Sequence, residues 1–206
     1  MCVSPVVNAQ SLNFSEAENV GLSTEGLEKV TMRLKRHIDE GDISGVVAAV
    51  IRDGKIVYLK ALGLRSIEKS LPMTDDTLFR IYSMTREITS IAVLQLYEQG
   101  KFKLDDPIKM YLPEFENQRV LLDSESTDLS LTKPRTGDIT VAQLLTHTSG
   151  LGSRNSALYV QNKVRDKNIS LDQMTSNAAR IPLFQDPGTE FRYGIHATIL
   201  GKLIEV

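Results

Sequence analysis

A serine at the entrance to an apolar helix is the residue of this chain whose position best suits chemistry. Ser83 stands in Phe79-Arg80-Ile81-Tyr82-Ser83-Met84-Thr85-Arg86, ahead of Ile88, Ile91, Ala92, Leu94, Leu96 and Tyr97, which recur at helical spacing until Gly100. A hydroxyl in the first turn of a helix lies beside unpaired backbone N–H groups and the positive end of the helix dipole, which favour a developing oxyanion. The same place suits an ordinary N-cap, a role serine fills often. The other reactive side chains read more plainly. His147, in Thr146-His147-Thr148-Ser149-Gly150, and His196 belong to a set of three scattered histidines without the Cys or carboxylate spacing of a zinc site. A histidine near a helix start, as His196 is, more often caps or is solvated than catalyses. Asp105 and Asp106 precede Pro107 and read as a helix cap rather than paired acids. No glycine-rich phosphate loop is present.

The elements that must position Ser83 follow from periodicity. Ser23 to Glu40 is an amphipathic helix that Ser23 can cap and Gly41 can end. Ile43–Ile51 and Ile56–Leu64 are apolar, β-branched runs on either side of Arg52-Asp53-Gly54-Lys55, a hairpin signature. The helix after Ser83 is apolar on most faces and is expected to cross the core. A short helix from Leu104 to Leu112-Pro113, a polar loop over 118–137, a helix over Val141–Thr146, another over Leu171–Ile181, a Pro187-Gly188 turn and an apolar helix from Ala197 to Val206 complete the reading. An isolated hairpin is marginal in water, so the two clear strands imply further sheet beyond them.

Composition narrows the class. The 206 residues are 41% hydrophobic and 24% charged with a formal charge of −2, which gives no basic surface for nucleic acid or anionic membrane. No run approaches the roughly 20 apolar residues of a spanning helix. Met1–Ala9 reads as a tail rather than a leader, lacking a basic n-region. The single cysteine, Cys2, forms no intrachain disulfide and fixes no compartment.

Three blocks together carry a family resemblance: LFRIYSMTREITSIAVLQLYEQGKFKLDDPIKMYLPEF (78–115), ITVAQLLTHTSGL (139–151) and PGTEFRYGIHATILGKLIEV (187–206). In this order they resemble the β-lactamase, D,D-peptidase and esterase superfamily of serine hydrolases, over roughly residues 20 to 206, and closest to its class C β-lactamase and esterase-like branch. That family carries its nucleophile in S-x-x-K at the start of a buried helix. The resemblance implies that Ser83 is the acyl-forming nucleophile and Tyr193 the tyrosine that assists proton transfer. Where the family has its lysine, this chain has Arg86. A guanidinium stays protonated and cannot act as a base, though it can donate hydrogen bonds and stabilise a nearby phenolate. The branch's Y-x-N motif is likewise altered, since Gly194 and Ile195 follow Tyr193. The family's third motif, K-T-G-like or H-x-G on a later strand, is not found in these 206 residues, and one lost oxyanion donor costs on the order of 100- to 1,000-fold in rate.

The resemblance implies an α+β (mixed α/β) fold, an antiparallel sheet with helices packed beside a mainly helical region. Residues 1–19 are expected to form a tail and 20–206 a partial domain, with helix and hairpin over 20–65 and the helical region over 66–206. The implied activity is acyl-enzyme hydrolysis of a small-molecule ester, β-lactam or peptide-like amide by Ser83, Tyr193 and Arg86, with no metal or organic cofactor. The alternative is a truncated or degenerate member that binds a ligand or partner, or that pairs with itself or a complementing chain through exposed sheet edges.

Overall fold

The structure, a computed structural model, describes residues 12–166 and 168–206. Met1–Ala9 and Cys2 therefore lie outside the described residues. The chain divides into two compact units, Met1–Arg80 and Ile81–Val206.

The first unit is a small sheet with one helix. Its strands and helix are β1 (Asn13–Phe14), α1 (Thr24–Asp39), β2 (Gly45–Arg52), β3 (Lys55–Ser66) and β4 (Leu71–Pro72). The Ser23 hydroxyl accepts the Gly26 N–H at 3.2 Å and so caps α1, an arrangement worth about 1 kcal/mol. β2 and β3 pair antiparallel, with Arg52 opposite Lys55. Between them Asp53 and Gly54 both have positive φ (50° and 69°), the backbone that a two-residue hairpin turn demands and that Asp-Gly supplies. α1 is fixed to the sheet by a buried hydrogen bond between the hydroxyls of Thr31 and Tyr58, 2.9 Å apart.

Part of the segment expected to be a tail is ordered structure. Asn13 and Phe14 pair in parallel with Lys55 and Ile56, and Ala17–Val20 form a 3-10 turn that buries Ala17 and Val20. β3 is thus flanked by β1 and β2, with β4 pairing antiparallel near its end.

The second unit is mainly helical. It holds α2 (Thr85–Glu98), a ribbon of β5 (Val120–Leu121) and β6 (Thr132–Lys133), α3 (Val141–Leu145), α4 (Ala157–Gln161), α5 (Leu171–Arg180) and α6 (His196–Glu205). Where a helix from Leu104 to Pro113 is expected, the chain makes 3-10 turns at Ile108–Met110 and Pro113–Phe115 instead. There Asp106 accepts hydrogen bonds from the Lys103 N–H (2.7 Å) and the Tyr111 hydroxyl (2.8 Å), which hold its carboxyl below the usual range. α3 opens on a reciprocal cap: the Thr140 hydroxyl accepts the Gln143 N–H, and the Gln143 amide oxygen accepts the Thr140 N–H. Phe115, Leu144, Leu151, Leu183, Ile199 and Leu200 lie at the centre of the apolar core.

Two expectations change here. The loop over 118–137 contains the β5–β6 ribbon, joined to the following chain by the Leu121 N–H donating to the Leu183 carbonyl (2.8 Å). α2 does not cross a core. Val93 is its one fully buried residue, while Ile88 and Ile91 are 61% and 55% exposed. The helix packs one stripe against α6, and its remaining apolar positions fall outside that stripe.

Candidate functional site

Ser83 lies one step before the place expected of it, in a 3-10 turn (Tyr82–Met84) that leads into α2 rather than within the helix. It is exposed, and the residue before it, Tyr82, has φ +45°, a left-handed conformation unusual for a bulky side chain. Such strain persists only where the surroundings over-determine it, and it concentrates at functional sites. Arg86 follows in the first turn of α2 and is half-buried.

The Arg86 guanidinium reaches across to the segment that enters α6. Its Nη1 donates to the Gly194 carbonyl at 2.6 Å, and its central carbon stands 4.5 Å from the centroid of the Tyr193 ring. The structure therefore brings Arg86 and Tyr193 together. Among the described residues no hydrogen bond joins Ser83 to either of them.

Gly194 permits this approach. A Cβ there would collide with the Gly152 carbonyl oxygen, so only glycine lets the two backbone segments meet. The Ile195 N–H donates to that same Gly152 carbonyl (3.1 Å). Ile195, at the asparagine position of the family's second motif, is 3% exposed and belongs to the core, so its side chain does not line the site. Gly152 is held from its other side as its N–H donates to the hydroxyl of Tyr159 (3.1 Å), a wholly buried phenol whose pKa burial pushes up.

The two histidines given no catalytic part in the sequence reading are joined to this site. His147 Nδ1 lies 2.9 Å from His196 Nδ1, and the His147 ring packs against Tyr193 (centroids 5.0 Å apart) and edge-on to Phe191 (5.7 Å). His196 has no exposed surface, and its Nε2 is a buried atom without a partner. Burial holds its pKa down to about 3, helped by His147 and Arg86 nearby and opposed by the Gly194 backbone. Burial also lowers His147, as does the Arg86 charge, with Glu87 acting in the other direction. His147 has φ +59°, and its carbonyl accepts the Arg192 N–H at 2.9 Å, tying the backbone just before Tyr193 to the end of α3. The separation of 49 positions between the two histidines left no sequence signal for this pair; Gly194 beside the motif tyrosine was the one available hint of close packing.

Elsewhere, His37, Glu40 and Asp42 stand close together at the end of α1, with His37 Nδ1 2.7 Å from the Asp42 carboxylate. Glu40 and Asp42 are exposed, and a histidine–carboxylate pair at a helix end accounts for the group.

With this geometry in place, residues 30–206 match the family model described as Beta-lactamase. Esterase EstB of Burkholderia gladioli is 34% identical over 179 residues, covering 81% of this chain and 41% of that protein. Acyltransferase mokF of Monascus pilosus is 28% identical over 213 residues, covering 98% of this chain and 50% of its own length. Among solved structures, EstCE1, described as a hydrolase with promiscuous acyltransferase activity, superposes with a TM-score of 0.75 at 29% identity, over 87% of this chain and 46% of that one. The chain thus spans about half the length, or less, of the proteins it matches.

Proposed function

This chain belongs to the Beta-lactamase family of serine hydrolases, and on that premise we propose that it carries the nucleophile half of an ester-cleaving acyl-transfer site. Ser83 Oγ attacks the ester carbonyl. Tyr193 takes the hydroxyl proton and passes it to the departing alkoxide, leaving an acyl-serine that water or a second alcohol resolves. Arg86 cannot take the proton itself, so its part is electrostatic: its charge stands over the Tyr193 ring and offsets the negative charge that develops as the proton moves. The observation that supports this reading is the contact of Arg86 with both Tyr193 and the Gly194 carbonyl, one helical turn from Ser83. An ester suits a site without a neutral amine base better than an amide, because an alkoxide can leave unprotonated whereas an amide nitrogen must gain a proton before it departs.

The same contact favours a second reading, in which the fold persists with its chemistry impaired. Here Arg86 anchors the Tyr193 segment and serves structure alone. The test is mass spectrometry of the intact protein after a fluorophosphonate probe and, separately, a penicillin, with Ser83→Ala as control. A stoichiometric adduct on Ser83 supports the hydrolase; a folded chain without adduct supports the impaired member.

A further inference from the structure

We infer that His147 and His196 form a neutral imidazole pair that positions Tyr193, and that Tyr193 loses its place when the pair is protonated. This rests on the reading of Tyr193 as the proton carrier. A bond between two Nδ1 atoms needs one donor and one acceptor, so it exists only while at least one Nδ1 is bare; two imidazolium rings would set donor against donor at 2.9 Å. The tautomers follow from burial. His196 Nε2 has no partner, and an orphaned buried N–H is rarer than an orphaned acceptor. His196 therefore carries its proton on Nδ1 and donates it to the bare Nδ1 of His147, whose own proton sits on Nε2.

Two connections run from His147 to the tyrosine. Its ring packs on the Tyr193 ring, and its carbonyl holds the Arg192 N–H. The left-handed backbone at His147 gives the ring this aim, since the chain turns there out of α3. The groups facing the pair are Arg86 and Glu87 from α2, Tyr193 and the Gly194 backbone from the entering segment, and the rings themselves. Arg86 opposes a second positive charge there, which keeps the pair neutral near pH 7. Protonation of the bare His147 Nδ1 in acid would break the pair and free the ring that Tyr193 leans on, whereas a proton on the unpartnered His196 Nε2 would leave the bond in place. His147 and His196 are thus positioning residues, acting through Tyr193.

The test uses the whole chain, 15N-labelled, with long-range 1H–15N spectra of its imidazoles, His37 being identified by a His37→Gln variant. Two variants separate ring from backbone. His147→Asn keeps a residue that tolerates positive φ, and His196→Phe keeps a buried ring without nitrogen. The expected result is an Nδ1–H tautomer for His196 and an Nε2–H tautomer for His147, with Tyr193 ring signals displaced in both variants. The rate of Ser83 labelling by the fluorophosphonate should fall about tenfold or more in both, and the acid limb of its pH profile should vanish in His147→Asn. Rings that titrate independently near the ordinary imidazole value, or Tyr193 signals that stay fixed in both variants, would overturn the inference. If the wild type is never labelled at any pH, the hydrolase reading fails, while the tautomers and Tyr193 signals still decide the positioning role.

Discussion

Replacing Arg86 by lysine sets two effects of one side chain against each other. Arg86 makes a charge-assisted hydrogen bond to the Gly194 carbonyl at 2.6 Å, a type worth about 1.5–3 kcal/mol. Its guanidinium also stands 4.5 Å from the Tyr193 centroid, a cation–π contact worth about 0.5–1 kcal/mol where solvent still reaches it. Lysine keeps the charge but lacks the planar fork that satisfies both contacts at once. Losing roughly one of the two should cost about 1–2 kcal/mol, or about 0.5–1 M in urea midpoint at a slope near 2 kcal/mol/M, with the slope itself unchanged. The chemistry should move the other way. An amine one turn from Ser83 can be neutral and accept its proton, and a positioned base contributes about 10²–10⁴-fold. We expect Arg86→Lys to raise the rate of Ser83 labelling by a fluorophosphonate about 100-fold, the low end of that range, with the gain growing as pH rises and the amine loses its proton. The assay is adduct formation against time by intact-mass spectrometry, with Ser83→Ala/Arg86→Lys as the blank. A folded Arg86→Lys protein that labels no faster than the wild type would refute the claim that Arg86 is what withholds the base.

Two further predictions concern the scaffold. Tyr159→Phe leaves the buried Gly152 N–H without its acceptor, and urea unfolding should register a loss of about 1–3 kcal/mol; a change below a few tenths would mean that Gly152 finds another partner. The histidine pair makes stability depend on pH with a definite sign. His196 is held neutral down to about pH 3, whereas in the unfolded chain an imidazole takes a proton near 6.5, so below about 6.5 the unfolded state binds more protons. Stability should fall as pH drops from about 6.5 towards 3, by up to about 1.4 kcal/mol per pH unit for this ring, and the slope should flatten in His196→Phe; an unchanged slope in that variant would rule the linkage out.

Local chemistry made much of the frame legible. The Asp53-Gly54 turn fixed the hairpin, Ser23 marked a helix start, and the spacing of apolar residues gave α1, α2, α5 and α6 to within a few residues. The family resemblance picked out Ser83, Arg86 and Tyr193, and the chain's place in the Beta-lactamase family follows from the same blocks. Two-residue strands such as β1, β5 and β6 are too short to show a period, and their partners lie far along the chain.

What tertiary structure alone decided is which groups meet. Sequence reading treated Arg86 as a substitution within a motif; folding aims it at a carbonyl 108 residues away. Hydropathy expected α2 to be buried on most faces, but burial depends on which neighbours arrive, and within its own unit α6 covers one stripe of it. Nothing in the local sequence marked His147 and His196 as partners, because an imidazole's proton, charge and tautomer are set by what surrounds it. That surrounding exists only once Gly194, lacking a Cβ, lets the segment carrying Tyr193 close against Gly152.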